Sequence, residues 1–203
     1  MSTITFSENQ DSVLVSYEDG LPLCSVKTPR EEALKWAYSL GAMPTKHVIV
    51  IGLGSGFHIS ALHDLDPQLK ISVVDNRGGL LSVFHSQFCE LRNDVDVILF
   101  EKAEDILKSD LYQQVLNEHT FVLSFRESWG QQSKVFAEVF AHLTGRSIES
   151  LNYHFDNFGF DMKAHGLNED KLLSIKDMIP FVEKTPTPDM KSQALRVLGE
   201  LIK

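Results

Sequence analysis

Between His47 and Leu143 the apolar residues follow a regular alternation of two periods. Nearly continuous apolar runs at 47–52, 70–75, 95–100 and 120–125 predict strands, and helical periodicity follows each, starting near 55, 79, 103 and 131. Runs with so little polar alternation suit strands covered on both faces. Strand-helix alternation then predicts a parallel sheet with helices on either side. Upstream, Ser12–Tyr17 and Leu21–Val26 flank Glu18-Asp19-Gly20 and predict a hairpin outside that sheet. Thr28-Pro29-Arg30-Glu31 reads as a capping box with proline at the first helical position. It opens a helix to about Leu40, which Gly41 stops and Pro44 keeps from resuming. From Ser147 the alternation ceases. LNEDKLLSIKDMIPFVEK and DMKSQALRVLGELIK are amphipathic with helical period, joined by the stiff Thr185-Pro186-Thr187-Pro188 connector. The expected fold is α/β: a three-layer, Rossmann-like parallel sheet, shortened to four recognisable strands, with an N-terminal β-hairpin and a helical C-terminus. A chain of 203 residues with 43% hydrophobic content supports a single domain. Its parts are the hairpin and first helix (1–45), the core (46–146) and a mainly helical extension (147–203), whose stripe offers a surface for self-association.

Charge and cysteine content narrow the partners. A formal net charge of −9, with no dense Lys/Arg run, disfavours phosphate backbones, so a small-molecule ligand is expected rather than nucleic acid. Cys24 and Cys89 are too few for a disulfide framework or a cysteine zinc site, and no metal centre is expected. The N-terminus lacks a basic-then-apolar leader and no run approaches about 18 apolar residues, so the expectation is a cytoplasmic protein without a membrane partner.

The candidate chemistry sits at the end of the first core strand. Gly52-Leu53-Gly54-Ser55-Gly56 lies between a strand and a helix, where glycines let a backbone approach a ligand and free helix-start N–H groups favour an acidic group. Asp75 ends the next strand, the place from which a carboxylate accepts from ribose hydroxyls. Phe57 stands where a dinucleotide fingerprint needs its third glycine, which weakens a nicotinamide or flavin reading. No Gly-Lys-Ser/Thr follows, which removes the triphosphate cradle.

This loop with Asp75 resembles the first two motifs of class I S-adenosylmethionine-dependent methyltransferases. The resemblance implies that the loop holds the amino-acid end of S-adenosylmethionine and that Asp75 holds its ribose. The cofactor-binding candidates it implies are Gly52, Gly54, Ser55, Gly56, Phe57, His58, Asp75 and Asn76, with Glu101, Lys102 and Ala103 on the third rim segment. There the family often reads Gly-Asp-Ala and contacts adenine; here Lys102 stands in place of the aspartate, leaving that contact to Glu101 or a backbone amide. The fourth segment, SFRESW, lacks the Asn/Asp-Pro-Pro-Tyr of base and amino methyltransferases. Arg126 and Glu127 are catalytic candidates by rim location alone. Arg77 reads as a contact for a carboxylate or, by preference, as an ordinary surface residue pairing with acidic neighbours, and Trp129 as a wall of the site or as packing for the following helix.

A second, looser resemblance spans roughly residues 20 to 125. Ser25, Pro29, Glu32 and Ala33, followed by Gly52, Gly54, Phe57 and His58, look like the N-terminal part of the motility-associated glycosyltransferase family, which is related to a pterin diphosphokinase. The chain has no room for that family's central domain. Two functions therefore stand: a small-molecule methyltransferase using S-adenosylmethionine, and a non-catalytic or partner-dependent module binding a nucleotide or nucleotide-sugar.

Overall fold

The computed structural model describes residues 2–150 and 153, and the described residues up to Ser150 belong to one compact unit. The helical periodicity read in the extension falls outside the described residues, apart from a helical start at 148–150 and Tyr153.

Four parallel strands form the core: β4 (His47–Ile51), β5 (Lys70–Asp75), β6 (Val95–Leu99) and β7 (Thr120–Ser124). Their order is β6-β5-β4-β7, so the first and fourth core strands are neighbours and the order reverses between them. Val50 pairs in register with Val73 on one side and with Leu123 on the other. Val48, Val50, Ile71 and Val73 face a core shared with α1 (Pro29–Ser39), α2 (Phe57–Leu65) and α3 (Gly79–Gln87), through Ala33, Ala37, Ala61, Leu62, Leu80 and Phe84. The opposite face carries Ile49, Ile51 and Val74, and α4 (Ser133–Leu143) packs on β4 there and on the turn at Ala103–Lys108. Every residue of β4 is buried, as a strand covered on both faces requires. The fold is α/β and Rossmann-like, as the methyltransferase resemblance implies. Among the described residues no helix is long and apolar enough to cross a membrane.

The N-terminal sheet is larger than the expected hairpin. β2 (Leu14–Glu18) and β3 (Leu21–Pro22) meet at an Asp19-Gly20 turn with φ of 47° and 82°, and β1 (Ile4–Glu8) adds a third antiparallel strand. Four of the five β1 residues are exposed, so the strand has little apolar periodicity to betray it. The capping box also differs from expectation. The Thr28 side chain caps nothing; Ser25 Oγ accepts the Thr28 N–H, and Glu32 reaches back to accept the Ser25 N–H at 2.6 Å.

Candidate functional site

In an open parallel sheet a ligand binds beyond the carboxyl ends of the strands, in the crevice where strand order reverses. Here that crevice lies between Ile51 at the end of β4 and Ser124 at the end of β7. The glycine loop borders it, and all of 51–59 is buried.

Residues 125–132 turn back into the crevice. Trp129 is 1% exposed and its indole Nε1 donates to Ile51 O at 2.8 Å. Ser128 Oγ lies 2.7 Å from Phe125 O and 3.1 Å from Gly52 O, and it has one proton to share between them. The loop glycines make room for these side chains. Gly52 has φ +95°, and a Cβ there would overlap Ser128 Oγ and come within 2.9 Å of Trp129 Cδ1. At Gly54, φ +49°, it would meet Ser128 Cβ at 2.6 Å. Close backbone approach is thus realised, with the chain's own residues as the approaching body.

Asp75 is completely buried, and its oxygens have four donors. Oδ1 accepts from Arg77 N (2.8 Å) and Arg77 Nε (2.9 Å); Oδ2 accepts from Leu53 N and Arg77 Nη2, both at 2.7 Å. A carboxylate offers about four acceptor positions, so all are engaged. Arg77 is 5% exposed, which corrects the expectation of surface pairing. The guanidinium also donates to Glu18 Oε2 (3.3 Å) and Ser128 O (2.8 Å) and lies 5.0 Å from the Phe136 ring centre. Glu18, on β2 and fully buried, accepts in addition from Gln131 N (3.0 Å) and Gln132 Nε2 (2.8 Å). Two carboxylates and one guanidinium are tolerable away from water because neutral donors join the guanidinium on both, bringing Asp75 to four donors and Glu18 to three.

The other candidates divide between this cluster and the rim. Ser55 accepts the Ser16 N–H at 2.9 Å, which ties the loop to β2. Gly56 starts α2, and Phe57 meets Phe88 edge to face. His58 is 1% exposed, stacked on Phe125 with ring centres 4.6 Å apart and edge-on to Trp36; its Nε2 donates to Gly52 O at 2.9 Å. Burial without a charged partner lowers its pKa to about 4, so at neutral pH it is an uncharged structural donor. Asn76 donates to Gln132 Oε1 at 3.4 Å, while its Oδ1 is buried without a partner. Ala103 is buried; Glu101 and Lys102 are exposed, with Lys102 N donating to Asp105 in the turn that follows. Arg126 and Glu127 are exposed on the outer side of the 125–132 segment, and the Arg126 guanidinium covers Trp129 at 4.4 Å.

The residues present therefore do not fit S-adenosylmethionine in this conformation. Asp75 has no acceptor position left for a ribose, and Ser128 and Trp129 occupy the approach to the glycines. Reading the sequence missed Glu18, Arg77 and Ser128 as members of the site. The Asp75-x-Arg77 spacing is the one available signal, since an arginine two positions after a strand-end aspartate can fold back on it.

No protein-family model and no curated protein matches the chain. Among solved structures it is similar to a spermidine synthase in complex with the transition-state analogue AdoDATO, with 19% identity, TM-score 0.49, and coverage of 72% of this chain and 51% of that one. The spermidine synthase from Thermotoga maritima aligns at 18% identity and TM-score 0.40, covering 53% and 40%. MnmC2 from Aquifex aeolicus aligns at 10% identity and TM-score 0.33, covering 90% and 64%. The chain thus spans about half or less of the two synthases.

Proposed function

We propose that the chain is a non-catalytic, partner-dependent Rossmann-like module whose nucleoside cradle is closed by its own side chains. The observation that carries this reading is the occupancy of Asp75. Its four acceptor positions are filled by Leu53 N and three donors of Arg77, so a ribose would have to displace a buried ion pair to bind. The loop still stands at the carboxyl end of β4 with an acidic residue closing β5, which supports a nucleoside as the ligand class; the closed state supports dependence on a partner. Arg126 and Glu127 have no reacting group to serve while the crevice is filled.

Isothermal titration of the wild-type chain with S-adenosylhomocysteine and with a uridine diphosphate sugar tests the proposal. No binding is expected with either at millimolar ligand. Micromolar binding of S-adenosylhomocysteine by the unmodified chain overturns it in favour of the methyltransferase reading, in which aligning a nucleophile with the sulfonium methyl supplies much of the rate.

A further inference from the structure

We infer that residues 125–132 are an autoinhibitory plug tied to the N-terminal sheet through Glu18, and that a nucleoside enters the cradle only when plug and sheet release together. The inference rests on the closed-cradle reading above.

The plug is seated between two bodies. On the core side it hydrogen-bonds strand-end carbonyls, Trp129 to Ile51 and Ser128 within reach of Gly52. On the other side its turn presses on the N-terminal sheet. Gly130 has φ +53°, and a Cβ there would meet Glu18 Oε2 and Leu23 Cδ2, each at 2.6 Å. Glu18 holds the plug through Gln131 N and Gln132 Nε2 while also accepting from Arg77, so one carboxylate joins sheet, plug and core. The sheet is itself fastened to the glycine loop by the Ser16 N–H on Ser55 Oγ. Withdrawing the plug strips Glu18 of the Gln131 and Gln132 donors, and Glu18 in turn holds Arg77, so plug, sheet and core share one network of charge-assisted bonds that is disrupted as a unit. Releasing sheet and plug together returns Glu18 to water, where it needs no partner from the protein.

Opening also leaves a site of defined chemistry. If the Arg77 side chain follows Glu18, Asp75 keeps the backbone donors Leu53 N and Arg77 N and recovers the two acceptor positions held by Nε and Nη2. Two acceptors on one carboxylate match the two hydroxyls of a ribose 2′,3′-diol. Asn76 Oδ1, already buried and unpartnered, is a further acceptor beside them, and Gln132 leaves its amide when the plug goes.

Native-state hydrogen exchange on the full chain provides the first test. The amides of Ser16 and Gln131, on sheet and plug, are expected to show one common opening free energy after correction for intrinsic exchange, well below that of Val73 in the centre of β5. Gly130→Ala should then dislodge the plug, speeding both amides at least tenfold and leaving Val73 unchanged. Trp129→Ala should have the same effect by removing the occupant. In the opened variants S-adenosylhomocysteine binding becomes measurable and adenosine competes with it. If Trp129→Ala does not fold, wild-type exchange and Gly130→Ala decide alone. Different opening free energies for Ser16 and Gln131 overturn the inference, as does an opened, folded Gly130→Ala that binds no S-adenosylhomocysteine at millimolar concentration. Micromolar binding by the wild type would instead overturn the closed-cradle reading beneath it.

Discussion

Acidification should destabilise this protein through His58. The ring is 1% exposed, stacked on Phe125, and has a backbone carbonyl, Gly52 O, as its hydrogen-bond partner. Burial lowers its pKa from 6.5 to about 4, so the unfolded chain takes up a proton that the folded chain refuses across that interval. Stability is complete above the unfolded value and falls as pH drops from 6.5 towards 4. One pKa unit is worth about 1.4 kcal/mol, so this group alone should remove about 2 kcal/mol between neutrality and about pH 5. His58→Gln is the reference, because its amide N–H can still reach Gly52 O but does not titrate. Its stability at neutral pH will be lower from the lost stacking, yet its pH dependence should be shallower. His47, which burial also pushes below the ordinary value, titrates in both proteins and cancels in the difference. Urea unfolding at several pH values gives both curves. Parallel curves, or a native His58 ring titrating near 6.5 by NMR, would refute the reasoning.

Three further outcomes are expected. Asp75→Asn removes the carboxylate that Arg77 grips and leaves the guanidinium buried with Glu18, costing about 3 kcal/mol in urea unfolding; a loss near zero would mean that Arg77 escapes to solvent. Gly52→Ala combines a left-handed φ with overlap on Ser128 and should cost about 3 kcal/mol or more, seen as loss of soluble folded protein, whereas a wild-type melting temperature would contradict the packing. Cys89 is exposed, while burial pushes the Cys24 thiol up to about 11, so a thiol reagent at mildly alkaline pH should modify one cysteine in the native protein and both after unfolding. Cys89→Ser should abolish the native reaction, and a remaining fast phase would place Cys24 at the surface.

The sequence carried the two central strands almost residue for residue because β4 and β5 are buried on both faces and are largely apolar, and the range 70–75 coincides with β5; the flanking β6 and β7 are half exposed and keep only part of that pattern. It did not carry β1, which is held by backbone pairing to β2 rather than by a buried face. The glycine loop and Asp75 were legible as local pattern. Their present occupants were not, because each comes from elsewhere in the chain: Glu18 lies 59 positions from Arg77, and Trp129 is 78 positions from the carbonyl it caps. An arginine two residues after an aspartate looks like an ordinary surface pair until another element buries it. The shift from the expected capping box has a nearer cause: Ser25 and Glu32 satisfy each other around Thr28, a contact outside the four-residue motif.

Glu18 meets its last donor 114 positions further along the chain. During synthesis, which proceeds at about 5–20 residues per second, the N-terminal strands therefore emerge well before Gln132 exists, and their central carboxylate stays hydrated until then. The small sheet cannot settle as a finished unit on its own. Its docking is deferred until β7 has paired and the following turn has been made, so among residues 2–150 one of the first segments translated is among the last to be locked in place.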